Sequence, residues 1–196
     1  MAVALSDRPL DRLRRLLARA PRTTSTESTA AVLATSTRSG RPSVRTVLVK
    51  TVDERGCVFF TSRYSRKAKT LAQNPRAALC FFWEPLGMQV TVEGEIEPVA
   101  TEDIDAYWRT RPRRSQLGAW ASRQSSTLIS RQVLLDRLAG IARRFAGRPV
   151  PRPPFWAGFR VVPERVEFWT RRPFRLHDRQ LYERRQGRWV MRRLYP

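Results

Sequence analysis

VRTVLVKTVDERGCVFFTS, residues 44–62, reads as two β-strands joined by a tight turn. Val44–Val52 and Cys57–Ser62 are dominated by β-branched and aromatic residues, which suit a pleated, half-buried surface, and Asp53-Glu54-Arg55-Gly56 between them is turn chemistry. The same pattern recurs on either side. Ala30–Thr37 leads into the hairpin through a second turn, Thr37-Arg38-Ser39-Gly40, and Ala77–Trp83 and Gln89–Val99 follow it. In the last of these, Gln89, Thr91, Glu93 and Glu95 alternate with Val90, Val92 and Ile96, the mark of a strand with one wet face. Beyond a Pro-rich link at Pro149–Pro154, further strands are expected at Phe159–Val162, Arg165–Trp169, Leu181–Arg184 and Trp189–Leu194.

Helices interrupt this series. Ser65–Gln73 is helical and is stopped by Asn74-Pro75. Thr101 caps a second helix, with Glu102 and Asp103 in its first turn and its end at Pro112. Ser130 opens a third, whose Leu134, Leu135, Leu138, Ile141, Ala142 and Phe145 form an apolar stripe opposite Arg137, Arg143 and Arg144. Near the start, Leu10, Leu13, Leu16 and Leu17 stand at helical spacing behind a Ser6/Asp7 cap, and Thr23-Thr24-Ser25-Thr26 is a polar linker. Residues 1–28 are therefore read as a helical appendage and linker that packs on the body or on a partner, and residues 29–196 as one domain. The expected fold is mainly β (α+β): an antiparallel β-barrel with inserted and peripheral helices, not a doubly wound sheet.

Composition removes several function classes. No apolar run approaches the ~18 residues of a membrane helix, and Leu16-Leu17-Ala18 between arginines is too short for an export signal. Cys57 and Cys80 sit in apolar segments without ligand spacing and read as reduced thiols of a cytoplasmic protein. A net charge of +21 invites a polyanion, but the arginines are spread along the whole chain, so nucleic acid is not the expected partner. The nine glycines form no phosphate loop, and a single histidine, His177, cannot build a metal cluster or a hydrolytic triad; no metal is expected.

What remains is cationic chemistry in unusual places. Arg45 and Lys50 bracket the apolar run Thr46-Val47-Leu48-Val49, on opposite faces of a strand but able to flank an anion across a sheet edge. Ser65-Arg66-Lys67 opens a helix, where backbone N–H groups and the helix dipole favour a phosphate. Tyr107 and Arg111 share a helix face at i, i+4, with Ser115 just beyond. Together these could serve two separate phosphates. Arg175-Leu176-His177-Asp178-Arg179 sets the only histidine among arginines, suited to an electron-rich, anionic ring.

These segments resemble the pyridoxamine 5′-phosphate oxidase family. The carriers are RTVLVK at 45–50, FFTS at 59–62, SRKA at 65–68, Asn74-Pro75, Gln89-Val90, RPRRSQLGAWASRQS at 111–125, VPRPPFW at 150–156, EFW at 167–169, RLHDR at 175–179 and the terminal RLYP, in the family's order from about Ala30 to Pro196. The resemblance implies an FMN-binding split β-barrel and a homodimer with the flavin at its interface. It assigns FMN contacts to Arg45, Thr46, Val47, Leu48, Val49, Lys50, Phe60, Thr61, Arg66, Lys67, Gln89, Gln124, Ser125, Trp169 and Arg179. It assigns the substrate to Lys50, Tyr107, Arg111, Ser115, Arg175, Leu176 and His177, with Arg175 and His177 as the catalytic pair. The implied reaction is oxidation of pyridoxine or pyridoxamine 5′-phosphate by hydride transfer to the flavin, which O2 reoxidises. A relative recruited to another oxidation, such as those of phenazine biosynthesis, is the alternative. Departures from the family pattern are Met88 before Gln89, Thr91 and Ala157 at positions that commonly differ, Thr170-Arg171-Arg172-Pro173 in place of a Gln-Gly start, and a short N-terminal region.

Overall fold

A computed structural model describes residues 8–20 and 27–196. The Ser6/Asp7 cap and the Thr23–Thr26 linker expected from the sequence lie outside the described residues. Eight strands form one antiparallel sheet: β1 (Ala30–Ser36), β2 (Pro42–Asp53), β3 (Gly56–Ser62), β4 (Arg76–Trp83), β5 (Met88–Pro98), β6 (Trp156–Thr170), β7 (Asp178–Arg185) and β8 (Arg188–Leu194). Their order is β3-β2-β1-β4-β5-β6-β7-β8, and β3 also pairs with β6, which closes the first six into a barrel. Helices α1 (Pro9–Arg19), α2 (Arg66–Gln73), α3 (Thr101–Thr110), α4 (Arg113–Ala121) and α5 (Arg131–Arg144) are peripheral or inserted.

Alternation along the strands fills the barrel. Leu33, Val49, Phe59, Leu79, Phe81, Val90, Val92 and Val161 are fully or almost fully buried. Each buried side chain of this size contributes roughly 1.5–3 kcal/mol, so this interior dominates stability. Helix α1, at 11 residues too short to persist alone, sets Leu10, Leu13 and Leu16 into the same core. It packs on the body, one of the two placements that its leucine spacing allows. Its Arg12 lies over the Phe168 ring at 4.0 Å and donates to Gln180 at 2.5 Å. A smaller core joins Ile104, Trp108, Phe145, Val150 and Trp156 beneath the inserted helices.

β6 organises everything else. Its first half pairs with β3, its second half with β7, and β5 runs beside it throughout. Two strands were expected here; the chain instead continues through Pro163, and a register shift between Glu93 and Gly94 absorbs the missing proline N–H. Helix α3 begins at Thr101 with Ala100 as its uncapped N-cap, so Thr101 is not the cap. Helix α4 was not foreseen at all. The expected stripe on α5 is incompletely covered within one chain: Phe145 is buried, but Leu135 is exposed, and Val133, Leu128 and Ile129 beside it are exposed too. Both cysteines are free thiols, and burial pushes Cys57 up to about 12. Among the described residues no helix is long and apolar enough to cross a membrane.

Candidate active site

The α2 N-terminus is built by Ser65, a fully buried cap whose hydroxyl accepts from Ala68 N–H at 3.4 Å. That turn aims Lys67 inward, where its Nζ donates to Thr61 Oγ1 at 3.1 Å. Thr61 in turn donates to Gln124 Oε1 at 2.8 Å, Ser62 N–H donates to the same oxygen at 3.2 Å, and Arg66 N–H donates to Ser125 Oγ at 3.1 Å. The loop after α4 is thereby tied to the end of β3, with Ser125 held at a left-handed φ of 71°. Arg45 reaches the cluster from β2, donating to Thr35 Oγ1 at 2.7 Å and Ser43 Oγ at 2.6 Å.

Three cations, Arg45, Arg66 and Lys67, thus lie close enough to repel one another, and among the described residues no carboxylate forms an ion pair with any of them. Burial lowers the Lys67 pKa, and repulsion from Arg45 lowers it further; Arg45 is lowered by burial and by Arg66. Unpaired cations crowded in this way suit an anionic ligand. The donor set (two guanidinium groups, an ammonium, hydroxyls and a helix N-terminus) fits a phosphate ester.

Lys50 departs from the expectation. Strand alternation does place it opposite Arg45, but β2 lies between β1 and β3, so there is no sheet edge for an anion to cross. In the single chain Lys50 pairs with Glu27 at 2.6 Å, which depresses the Glu27 carboxyl through that hydrogen bond. Thr46, Leu48 and Lys50 share the outward face of β2. Exposed Val32, Val44 and Phe82 lie on neighbouring outward positions of the barrel.

The Tyr107, Arg111, Ser115 group comes together. Tyr107 stacks on Phe60 with centroids 4.1 Å apart, on the face of β3 turned away from the barrel core. The Arg111 guanidinium lies 4.3 Å over Trp156 and 5.4 Å over Trp108, and donates to the Ser115 carbonyl at 3.1 Å. Burial lowers its pKa, opposed by the Tyr107 phenol, and its Nε is buried without a partner. Trp108 and Trp156, the two tryptophans under Arg111, are not among the site residues expected from the sequence.

The remaining group lies at the far end of β6. Gln89 pairs with Trp169, whose ring packs against His177 at 4.6 Å. His177 Nδ1 accepts the Arg172 N–H at 3.1 Å. Phe174 and Arg175 hold left-handed φ values of 56° and 62°, and Arg175 and Leu176 are exposed. Arg179 is a bidentate partner of Glu167 at 2.7 and 3.0 Å, which raises its pKa. From Ala157, opposite Thr61, to Trp169 along β6 is roughly 40 Å of strand at about 3.3 Å per residue. Within one chain the Arg111 group and the His177 group are therefore not brought together.

The sequence model of the family described as pyridoxamine 5′-phosphate oxidase matches residues 17–144. The chain belongs to this family. A second model, the pyridoxine 5′-phosphate oxidase C-terminal dimerisation region, matches residues 156–196. A pyridoxine/pyridoxamine 5′-phosphate oxidase of Rubrobacter xylanophilus is 58% identical over 170 residues, covering 87% of this chain and 78% of the relative. One of Alkalilimnicola ehrlichii is 55% identical over 87% of each chain. Among solved structures, PhzG from Burkholderia lata in complex with tetrahydrophenazine-1-carboxylic acid superposes with a TM-score of 0.92 at 33% identity, covering 98% of this chain and 94% of that one. A pyridoxamine 5′-phosphate oxidase-related, FMN-binding protein from Nostoc punctiforme shares the fold with a TM-score of 0.78 at 20% identity over the full length of both chains.

Proposed function

We propose that the chain is an FMN-dependent oxidase that converts pyridoxine or pyridoxamine 5′-phosphate to pyridoxal 5′-phosphate, with O2 as electron acceptor, and that it works as a homodimer. The observation that carries the reading is the cluster of Arg45, Arg66 and Lys67 without a carboxylate, in a chain of this family, together with a second cationic group around Arg111. Two phosphate-suited sites match a phosphorylated cofactor and a phosphorylated substrate.

Arg66, Lys67, Thr61, Gln124 and Ser125 would hold the FMN phosphate, with Arg45 behind it. Thr46, Leu48 and Lys50 would meet the flavin on the outward barrel face, and Gln89, Trp169 and Arg179 would come from the second chain. FMN held there would supply the redox chemistry, a two-electron oxidation at the substrate C4′ carbon with O2 as the final acceptor, reduced to peroxide. The chain supplies position. Tyr107, Arg111 and Ser115 hold the substrate phosphate, while the partner's Arg175 and His177 cover the ring, so the reacting carbon is fixed from both ends. Residues 29–196 carry all these contacts, and helix α1 packs on the barrel.

The β6 separation supports the two-chain site, as do the exposed apolar residues of the outward barrel face. The phenazine-type reading is weaker, because a substrate without a phosphate ester leaves Arg111 and its neighbours without a role. The test is an aerobic assay with pyridoxine 5′-phosphate, recording aldehyde absorbance and peroxide together. Equal yields of both are expected; a flavin that stays oxidised with either B6 phosphate under anaerobic conditions would overturn the reading.

A further inference from the structure

The connection from β6 to β7 does more than present Arg175 and His177. Arg172 is extended, as a residue before proline must be (φ −136°, ψ 158°), and Pro173 starts a single tight turn. Two left-handed residues, Phe174 and Arg175, then reverse the chain, so that His177 folds back onto the Arg172 backbone. Neither is glycine, and Phe174 is 92% exposed, so no packing of its side chain recovers the cost of that conformation. The loop is closed on its outer side by Arg172 Nε, which donates to Asp178 Oδ2 at 2.6 Å. On the inner side Trp169 backs the imidazole at 4.6 Å and 52°. The ring is thus held by a backbone donor, an aromatic wall and a clamp formed by the residues on either side of the turn.

The polarity of this arrangement is fixed. A backbone N–H can only donate, so His177 Nδ1 must offer its lone pair to Arg172, and the one proton of a neutral imidazole sits on Nε2. From this we propose that Arg172 and Asp178 are positioning residues that lock His177 as an Nε2–H hydrogen-bond donor toward an acceptor atom on the substrate ring. In this state Nε2 has no lone pair to take a proton from the substrate, so His177 binds and orients and is not the base of the reaction. The identity of the acceptor as a substrate atom rests on the proposed function; the tautomer and the clamp do not.

His177 is the chain's only histidine, so protein labelled with 15N-histidine gives one pair of ring-nitrogen signals. In the flavin-loaded wild type, Nδ1 should resonate as the unprotonated nitrogen and Nε2 as the protonated one. An unprotonated Nε2, or two averaged signals, overturns the proposal. In Asp178→Asn the two signals should move toward the average of a free imidazole, and kcat/KM on pyridoxine 5′-phosphate should fall about tenfold with flavin content unchanged. Placed on a His177→Ala background, the same substitution should change kcat/KM by less than about twofold, because its effect passes through the ring. An equal loss in both backgrounds would mean a general structural role and would sink the idea. Arg172→Ala, which removes the clamp but keeps the backbone N–H, must repeat the pattern and serves if Asp178→Asn does not fold. The spectrum needs no turnover. A protein with the fixed tautomer that oxidises neither B6 phosphate would overturn the functional reading alone.

Discussion

At the scale of single residues, the cation cluster behind α2 makes two opposed demands. Lys67 is buried beside Arg45, and its pKa is lowered first by that burial and then by the repulsion. The unfolded chain keeps the lysine proton to higher pH than the folded chain does. Stability of the flavin-free protein should therefore rise as pH climbs through the folded Lys67 pKa toward the ordinary lysine range. Lys67→Met should raise the thermal midpoint of the flavin-free protein at neutral pH and flatten that rise, while weakening FMN about tenfold or more, the loss of a charge-assisted contact. Melting curves at several pH values, with and without FMN, check both signs. Arg111 behaves differently because its guanidinium is held by tryptophan faces and a carbonyl. Arg111→Ala should keep normal flavin content and lose roughly 2–4 kcal/mol in kcat/KM. Most of that should sit in KM, since a phosphate remote from C4′ is held alike before and during the reaction. A loss confined to kcat would contradict the assignment.

At the scale of elements, β6 is squeezed between β3 and β5, and two glycines permit it. A Cβ on Gly94 would lie 1.8 Å from the Val162 carbonyl oxygen, and one on Gly56, at φ 150°, would lie 2.1 Å from that of Val161. Both atoms are backbone in the middle of a paired strand and cannot step aside. Gly94→Ala should therefore cost more than about 4 kcal/mol, the range of severe core lesions, and be recovered as aggregate. Gly118→Ala, where nothing lies within 4 Å and the residue is helical, should be harmless or slightly stabilising. Strand existence was legible because alternation survives any tertiary context, as Val90, Val92 and Gln89, Thr91 illustrate. The unity of β6 was not, since Pro163 reads as a break and only its partner's bulge shows otherwise. Helix α4 was hidden for a similar reason: Pro112 supplies no side-chain cap, Gly118 lowers propensity, and only Ala121 is fully buried, so neither capping nor periodicity announces it. The site was legible as residue types but not as groups. The sequence gives no sign that Lys50 turns to Glu27, or that Arg172 N–H reaches the histidine.

At the scale of the whole molecule, the proposed function and the placement of Arg111 and His177 at opposite ends of β6 together require assembly for the chemistry. If each site draws Arg111 from one chain and His177 from the other, two individually impaired variants can repair each other when turnover is read at substrate well below the wild-type KM. Consider Arg111→Ala mixed with His177→Ala after reversible dissociation. In a mixed dimer one site receives both defects and the other receives neither, because the intact Arg111 and the intact His177 come from different chains. Random pairing of equal amounts makes half of the dimers mixed and leaves one sound site in each. Activity should return to about a quarter of wild type per site, by the symmetry of a two-fold assembly. A site contained in one chain predicts the opposite, since every site in every mixture would carry one defect. The measurement is turnover of pyridoxine 5′-phosphate before and after subunit exchange, with the mixed species isolated by differential tags. Recovery near a quarter in the unsorted mixture and near a half in the isolated mixed dimers supports the two-chain site, and no recovery in verified mixed dimers places Arg111 and His177 in the same chain's pocket, against the geometry of β6.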